Sequence, residues 1–215
     1  MCIVSEVEFG STVTADPGSA VYALAQHLAK TGDRVTLLWV ASPLGSRPDA
    51  EEIARLAKWC FDNFLVRLEL LPLSPELLRG DEASDKNSVA VYHYLKQNPF
   101  DVVYFSLEGG LAHFPTVAKR TGVFPDPPVI VVLAHEPLIW KLEANSRAIE
   151  HKDQMTVAHM ERTAAETCDH LVVTGQSLLD WMTKAGWKLP ASRHIAAPLP
   201  PEEWRSNFTV DHYRP

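Results

Sequence analysis

The stretch DVVYFSLEGGLAHFPTVAKRTGVFPDPPVIVVLAHEP, residues 101–137, decides the fold class. It begins and nearly ends with β-rich apolar runs, DVVYFS at 101–106 and VIVVLA at 129–134. Neither run alternates apolar with polar residues, as a strand wetted on one face would. Continuous runs suggest strands buried on both faces of a parallel sheet. Between them, residues 113–121 predict a short helix that ends at Gly122. A strand, a helix and a second strand in succession make one crossover unit.

Outward from this unit the same alternation recurs. Further strand candidates are CIVSE (2–6), RVTLLWV (34–40), VRLELL (66–71), HLVVT (170–174) and RHIAA (193–197). Ala20, Val21, Leu24, Ala25 and Leu28 form one helical stripe. Asp16 suits its N-cap, Pro17 its first position and Gly32 its end. Residues 49–63 place Ile53, Leu56, Ala57, Cys60 and Phe64 at helical spacing, and Asn87 can cap a helix running to Gln97. A long helix is predicted from about Asn145 to Thr167, and another from Ser177 to Ala185. The reading is a three-layer, doubly wound Rossmann-like α/β domain over residues 1–200, its mostly parallel sheet holding about seven strands. Pro198, Pro200 and Pro201 then break regular structure, so 201–215 reads as a linker.

Composition narrows the partners. The chain has 215 residues, 20 Lys+Arg against 27 Asp+Glu, and a net charge of −7. With 46% hydrophobic residues and mean hydropathy −0.09 it is an ordinary globular chain rather than a disordered one. A pI near 5.7 argues against nucleic acid and anionic membrane surfaces. Glu6 and Glu8 interrupt any signal-peptide run, and no apolar stretch is long enough to span a membrane, so a cytoplasmic location is expected. Cys2, Cys60 and Cys168 are odd in number and far apart, which suits buried thiols better than disulfides or a zinc site. No metal site is expected: His151 and His159 stand eight apart rather than four.

In an open α/β sheet the ligand lies beyond the carboxyl ends of the strands. The candidate residues are therefore those that follow each strand. The first loop, with Gly10, Ser11 and Gly18, has neither a GxGxxG fingerprint nor a P-loop, and reads as ligand-lining or as a capped structural turn. A carboxylate at Asp16 would repel anions from that helix end. Glu108, Gly109 and Gly110 either line a cleft or form a tight turn with a solvated glutamate. His135 and Glu136 follow the most apolar strand, where a histidine can bond hydroxyls, move a proton or be structural. Trp181, Trp187 and Trp204 suggest sugar stacking but read better as packing anchors.

Taken in order, three segments are similar to a known family: DVVYFSLEGGLAHFPTVAKRTG, VIVVLAHEPLIWKLEAN and MERTAAETCDHLVVTGQSLLDWMTKAGWKLP. With the opening IVSEVEFG and GSAVYALAQHLAKTGDRVTLL, they resemble the N-terminal domain of a GT-B glycosyltransferase of the family 4 type, from about Met1 to Pro201. The resemblance implies an acceptor-binding half of a retaining, hexosyltransferase-like enzyme. It implies a nucleotide-sugar donor as substrate, a sugar or glycan acceptor, and a separate C-terminal donor-binding domain as partner. It implies no further cofactor. His135 would be the catalytic-site contact to sugar or acceptor. Gly10, Ser11, Gly18, Glu108, Gly109, Gly110 and Glu136 would line the cleft. Where the family carries a Gly-Gly pair this chain has Ala15 and Asp16, a departure that weakens diphosphate contact by this half. Without the donor domain, the chain is expected to be inactive. The alternative is a stand-alone, non-enzymatic module that binds carbohydrate or protein.

Overall fold

The computed structural model describes residues 1–6, 17–40, 49–71 and 83–196. Seven strands form one parallel sheet: β1 (Cys2–Ser5), β2 (Val35–Trp39), β3 (Val66–Leu70), β4 (Val102–Ser106), β5 (Val129–Ala134), β6 (His170–Val173) and β7 (Arg193–Ile195). Their order is β3-β2-β1-β4-β5-β6-β7, and every pairing is parallel. The doubly wound α/β reading holds, and each expected strand is found within two residues of its expected ends.

Helices α1 (Pro17–Lys30) and α2 (Ala50–Phe64) pack on one face of β1, β2 and β3. Ile3, Leu37 and Leu68 meet Val21, Ala25, Leu56 and Cys60 there. On the other face, α3 (Ala83–Gln97), α4 (His113–Arg120), α6 (Lys152–Thr167) and α7 (Gln176–Lys184) build a larger core with Val4, Phe105, Val132 and Leu171. Helix α5 (Leu138–Ala144) lies between β5 and α6 in the chain. Side chains alternate between the faces along each strand, so Cys2 and Val4 join one core and Ile3 the other.

The apolar runs led us to expect burial on both faces for most strands. That holds for β1 and β2 but not throughout β3, where Arg67 is exposed, nor throughout β4, β5 and β6. Val103, Phe105, Ile130, Val132 and Leu171 are buried on one face; on the other Val131 is buried, but Val102, Tyr104, Leu133 and Val172 are half-buried and Val129 is exposed. The cause is the reversal of winding. Right-handed crossovers put α1 and α2 over one half of the sheet and the later helices over the opposite face.

Two helix boundaries also differ from expectation. The long helix does not start at Asn145. Ser146 takes a left-handed conformation (φ 52°) just beyond α5, and the chain becomes extended at His151 before α6 begins. The Gln154 side chain accepts from the Glu150 and His151 amides (2.7 and 3.4 Å) and fixes that start. Asn87 is no cap, because α3 starts four residues earlier and buries it. The Asp16 cap and the linker after Pro198 lie outside the described residues. Cys2, Cys60 and Cys168 are free and buried, and burial pushes their thiols up to about 12, 11 and 12. Among the described residues no helix is long and apolar enough to cross a membrane.

After β4 the chain makes one tight 3-10 turn, Glu108–Gly110, with Gly109 at φ 76° and Gly110 at φ 71°. A Cβ on Gly110 would lie 2.5 Å from Cβ of Met160 on α6. Gly122, which ends α4 at φ 75°, has nothing within 4 Å of such an atom. Alanine at either site strains a left-handed backbone by about 1–2 kcal/mol. At Gly110 overpacking adds about 1–3 kcal/mol. Urea titration should therefore show Gly110→Ala to be clearly less stable than Gly122→Ala. Equal midpoints would mean that α6 does not press on this turn.

Candidate functional site

β1 and β4 are neighbours, yet the chain winds away from them in opposite directions. This is the switch point, where an open α/β sheet forms its crevice. Glu6 follows β1, the Glu108–Gly110 turn follows β4, and His135 and Glu136 follow β5. Gly10 and Ser11 lie outside the described residues, and Gly18 sits in the first turn of α1.

Glu108 is held inside the protein's own hydrogen-bond network. Its Oε1 accepts from the backbone N–H of His135 (3.0 Å) and of Glu136 (2.7 Å). The Ser106 hydroxyl donates to its Oε2. One carboxylate thus clamps the end of β5 to the end of β4. Bonds of this charge-assisted kind contribute about 1.5–3 kcal/mol each.

A second carboxyl group, not anticipated from the sequence, completes the arrangement. Glu161 on α6 is 2% exposed. Its Oε1 accepts from the Gly109 amide (3.2 Å) and its Oε2 from the Leu138 amide (2.7 Å). Burial pushes its carboxyl up to about 8, and the Glu108 charge acts the same way against the two N–H bonds. Met160, Glu161, Ala164 and Ala165 share the buried stripe of α6, so a glutamate on an apolar stripe was the available signal. A third, Glu6, accepts from the Asn87 amide (2.9 Å) and is raised by burial. A Cβ on Gly109 would meet the Glu6 carboxylate at 2.7 Å, so glycine here admits that side chain.

His135 is half-buried, and its Nδ1 is buried with no hydrogen-bond partner among the described residues. Glu136 is exposed and lies 3.9 Å from Lys141. On α4, His113 has a similarly buried and unpartnered Nδ1. Burial, then the neighbouring His159, lowers its pKa; the two rings are 5.8 Å apart. Among the described residues no group of three or more His, Cys, Asp or Glu could hold a metal ion.

The structure therefore brings Glu108, Gly109, Gly110 and His135 together, and adds Glu6, Asn87 and Glu161. Four amides that could cradle an anion, those of Gly109, His135, Glu136 and Leu138, are already occupied by Glu108 and Glu161. A phosphate would have to displace internal carboxyl groups. A neutral, hydroxyl-bearing ligand needs no such exchange.

The raised Glu161 gives a pH test. Between about pH 4.5 and about 8 the folded protein keeps a proton that the unfolded chain releases, so this group's contribution to stability falls as pH rises. Glu161→Gln has no such proton and replaces one acceptor with an amide, which costs about 1–3 kcal/mol. Urea midpoints at pH 5 and pH 8 should show the deficit of the variant shrinking at the higher pH. A deficit unchanged between the two pH values would mean that Glu161 is ionised throughout.

No protein-family model matches the chain, and no curated protein is found as a relative. Solved structures do match. A sucrose-phosphate synthase from Thermosynechococcus elongatus is 13% identical at TM-score 0.52, covering 98% of this chain and 53% of its own. LpCGTa in complex with UDP is 14% identical at TM-score 0.53, with 93% and 52% covered. A UGT from Glycyrrhiza uralensis, complexed with glycyrrhetinic acid 3-O-monoglucuronide, is 9% identical at TM-score 0.52, with 98% and 50% covered. The chain spans about half the length of these three, and 91% of a second sucrose-phosphate synthase chain. At such identities the likeness establishes the fold: a Rossmann-like α/β domain of the kind found in GT-B glycosyltransferases.

Proposed function

We propose that this chain is the acceptor-side half of a glycosyltransferase that takes a sugar from a nucleotide-sugar donor. The observation that carries the reading is the strand end itself. Its amides are occupied by Glu108 and Glu161, and the buried Nδ1 of His135 beside them has no partner among the described residues. That suits a neutral acceptor better than a diphosphate, which a second domain would hold. The GT-B-like fold supports it, as does the half-exposed face of β4, β5 and β6, which leaves room for more protein. Membership of the family 4 type, retention of configuration and a hexosyl donor rest on the sequence resemblance. In this reading the donor phosphate takes the proton-transfer role, and His135 contacts the sugar or acceptor. Gly10, Ser11, Gly18 and Glu136 complete the proposed cleft lining, in a cytoplasmic protein.

The second reading is a stand-alone module binding carbohydrate or protein. The internal satisfaction of the strand end favours it too, because the amides there have no role to spare. Joining the chain to a nucleotide-sugar-binding domain separates the two, since only the transferase half should then support transfer. For the chain alone, we expect no hydrolysis of uridine diphosphate glucose and a perturbed His135 ring signal in NMR when neutral oligosaccharides are added. Robust turnover by the chain alone would contradict the proposal, as would a His135 ring indifferent to every sugar tried.

A further inference from the structure

Away from the strand ends, α5, α6 and α7 border an open surface pocket of about 310 Å³. That is at the lower end of small-molecule sites, which run from about 300 to 1,000 Å³. Its lining includes Trp181 and Trp187 with Glu143, His159, Arg162 and Ala185. None of Glu6, Glu108, His135 or Glu161 takes part.

The walls are fixed in advance. Trp181 donates its indole N–H to Glu143 Oε2 at 2.7 Å. Its ring meets Trp140 and Trp187 edge to face, with centroids 5.4 and 5.6 Å away. Arg162 is held by Nε to Glu166 at 2.8 Å and by Nη2 to the Gly186 carbonyl at 2.7 Å. A guanidinium has more donors than these two bonds use, and the Glu143 carboxylate has a second oxygen. Packing alone would account for the three tryptophans. It does not account for a pocket that keeps two of them on its wall beside a carboxylate, a guanidinium and an imidazole.

From this arrangement we infer a carbohydrate-binding site for one neutral pyranose unit of a glycan. A pyranose has a flat C–H face that suits indole and a rim of hydroxyls that both donate and accept. The pocket offers two indoles for the face, Glu143 as acceptor, Arg162 as donor, and His159 as donor or acceptor for the rim. A purely apolar guest would make no use of the remaining oxygen of Glu143 or the remaining donors of Arg162, and an anion would meet Glu143. The inference does not rest on the transferase reading.

The test is tryptophan fluorescence and saturation-transfer NMR on the full chain with maltotriose and cellotriose as probes, and a hydrophobic naphthalene dye as control. We expect a saturable response to at least one trisaccharide with a millimolar Kd. Ala185→Leu, which enlarges an exposed lining residue without removing a packing contact, should weaken it by about tenfold or more. Glu143→Gln keeps an acceptor for Trp181 and serves if the first variant fails to fold; it should weaken the response severalfold. No saturable response to either sugar would overturn the inference. So would a response that both folded variants retain, or binding of the dye alone.

Discussion

The end of this sheet is organised around one carboxylate. Glu108 accepts the amides of His135 and Glu136 and so ties the ends of β4 and β5, one strand away from the switch point. The backbone must turn at once after β4 to aim that side chain back at β5, and two successive left-handed glycines make the turn. The close approach of Met160 to Gly110 then sets how near α6 can come, and that approach places Glu161 against Gly109 and Leu138. Each step constrains the next. Anion capacity common at such strand ends is used here for internal cohesion.

The sheet is asymmetric in a way that matters for its partners. Strands β1 and β2 are sealed on both faces, whereas β4, β5 and β6 keep one face half-open. The strand-end site lies where these two regimes meet. The tryptophan-lined pocket is on the sealed flank of β4, β5 and β6, among α5, α6 and α7. If both bind sugars, one chain would touch a glycan at two separate places, and the polar groups involved would be different at each.

Much of the fold was legible because buried parallel strands are short continuous apolar runs, and DVVYFS and VIVVLA sit between clear turn signals. The same feature misled on burial: an apolar run does not say whether a helix covers both its faces. Helix α5 was not anticipated, and the late start of α6 escaped because its cause is the backbone at Ser146 and a side-chain bond from Gln154, which no periodicity reveals. The strand-end loops were found by position in the fold, and His135 and Glu108 do stand together. Glu161 was not found, since it reaches the site from a helix over fifty residues beyond Glu108. Its position on an apolar stripe was visible; the amides it meets were not.

The central claim is that this strand end is closed to phosphate by its own carboxyl groups. Amide-resolved NMR of the chain during titration with uridine diphosphate tests it most directly. The account predicts that the amide signals of Gly109, His135, Glu136 and Leu138 stay in place at concentrations that saturate a nucleotide-sugar site. Saturable shifts confined to these four amides would show phosphate displacing Glu108 and Glu161, and would contradict it.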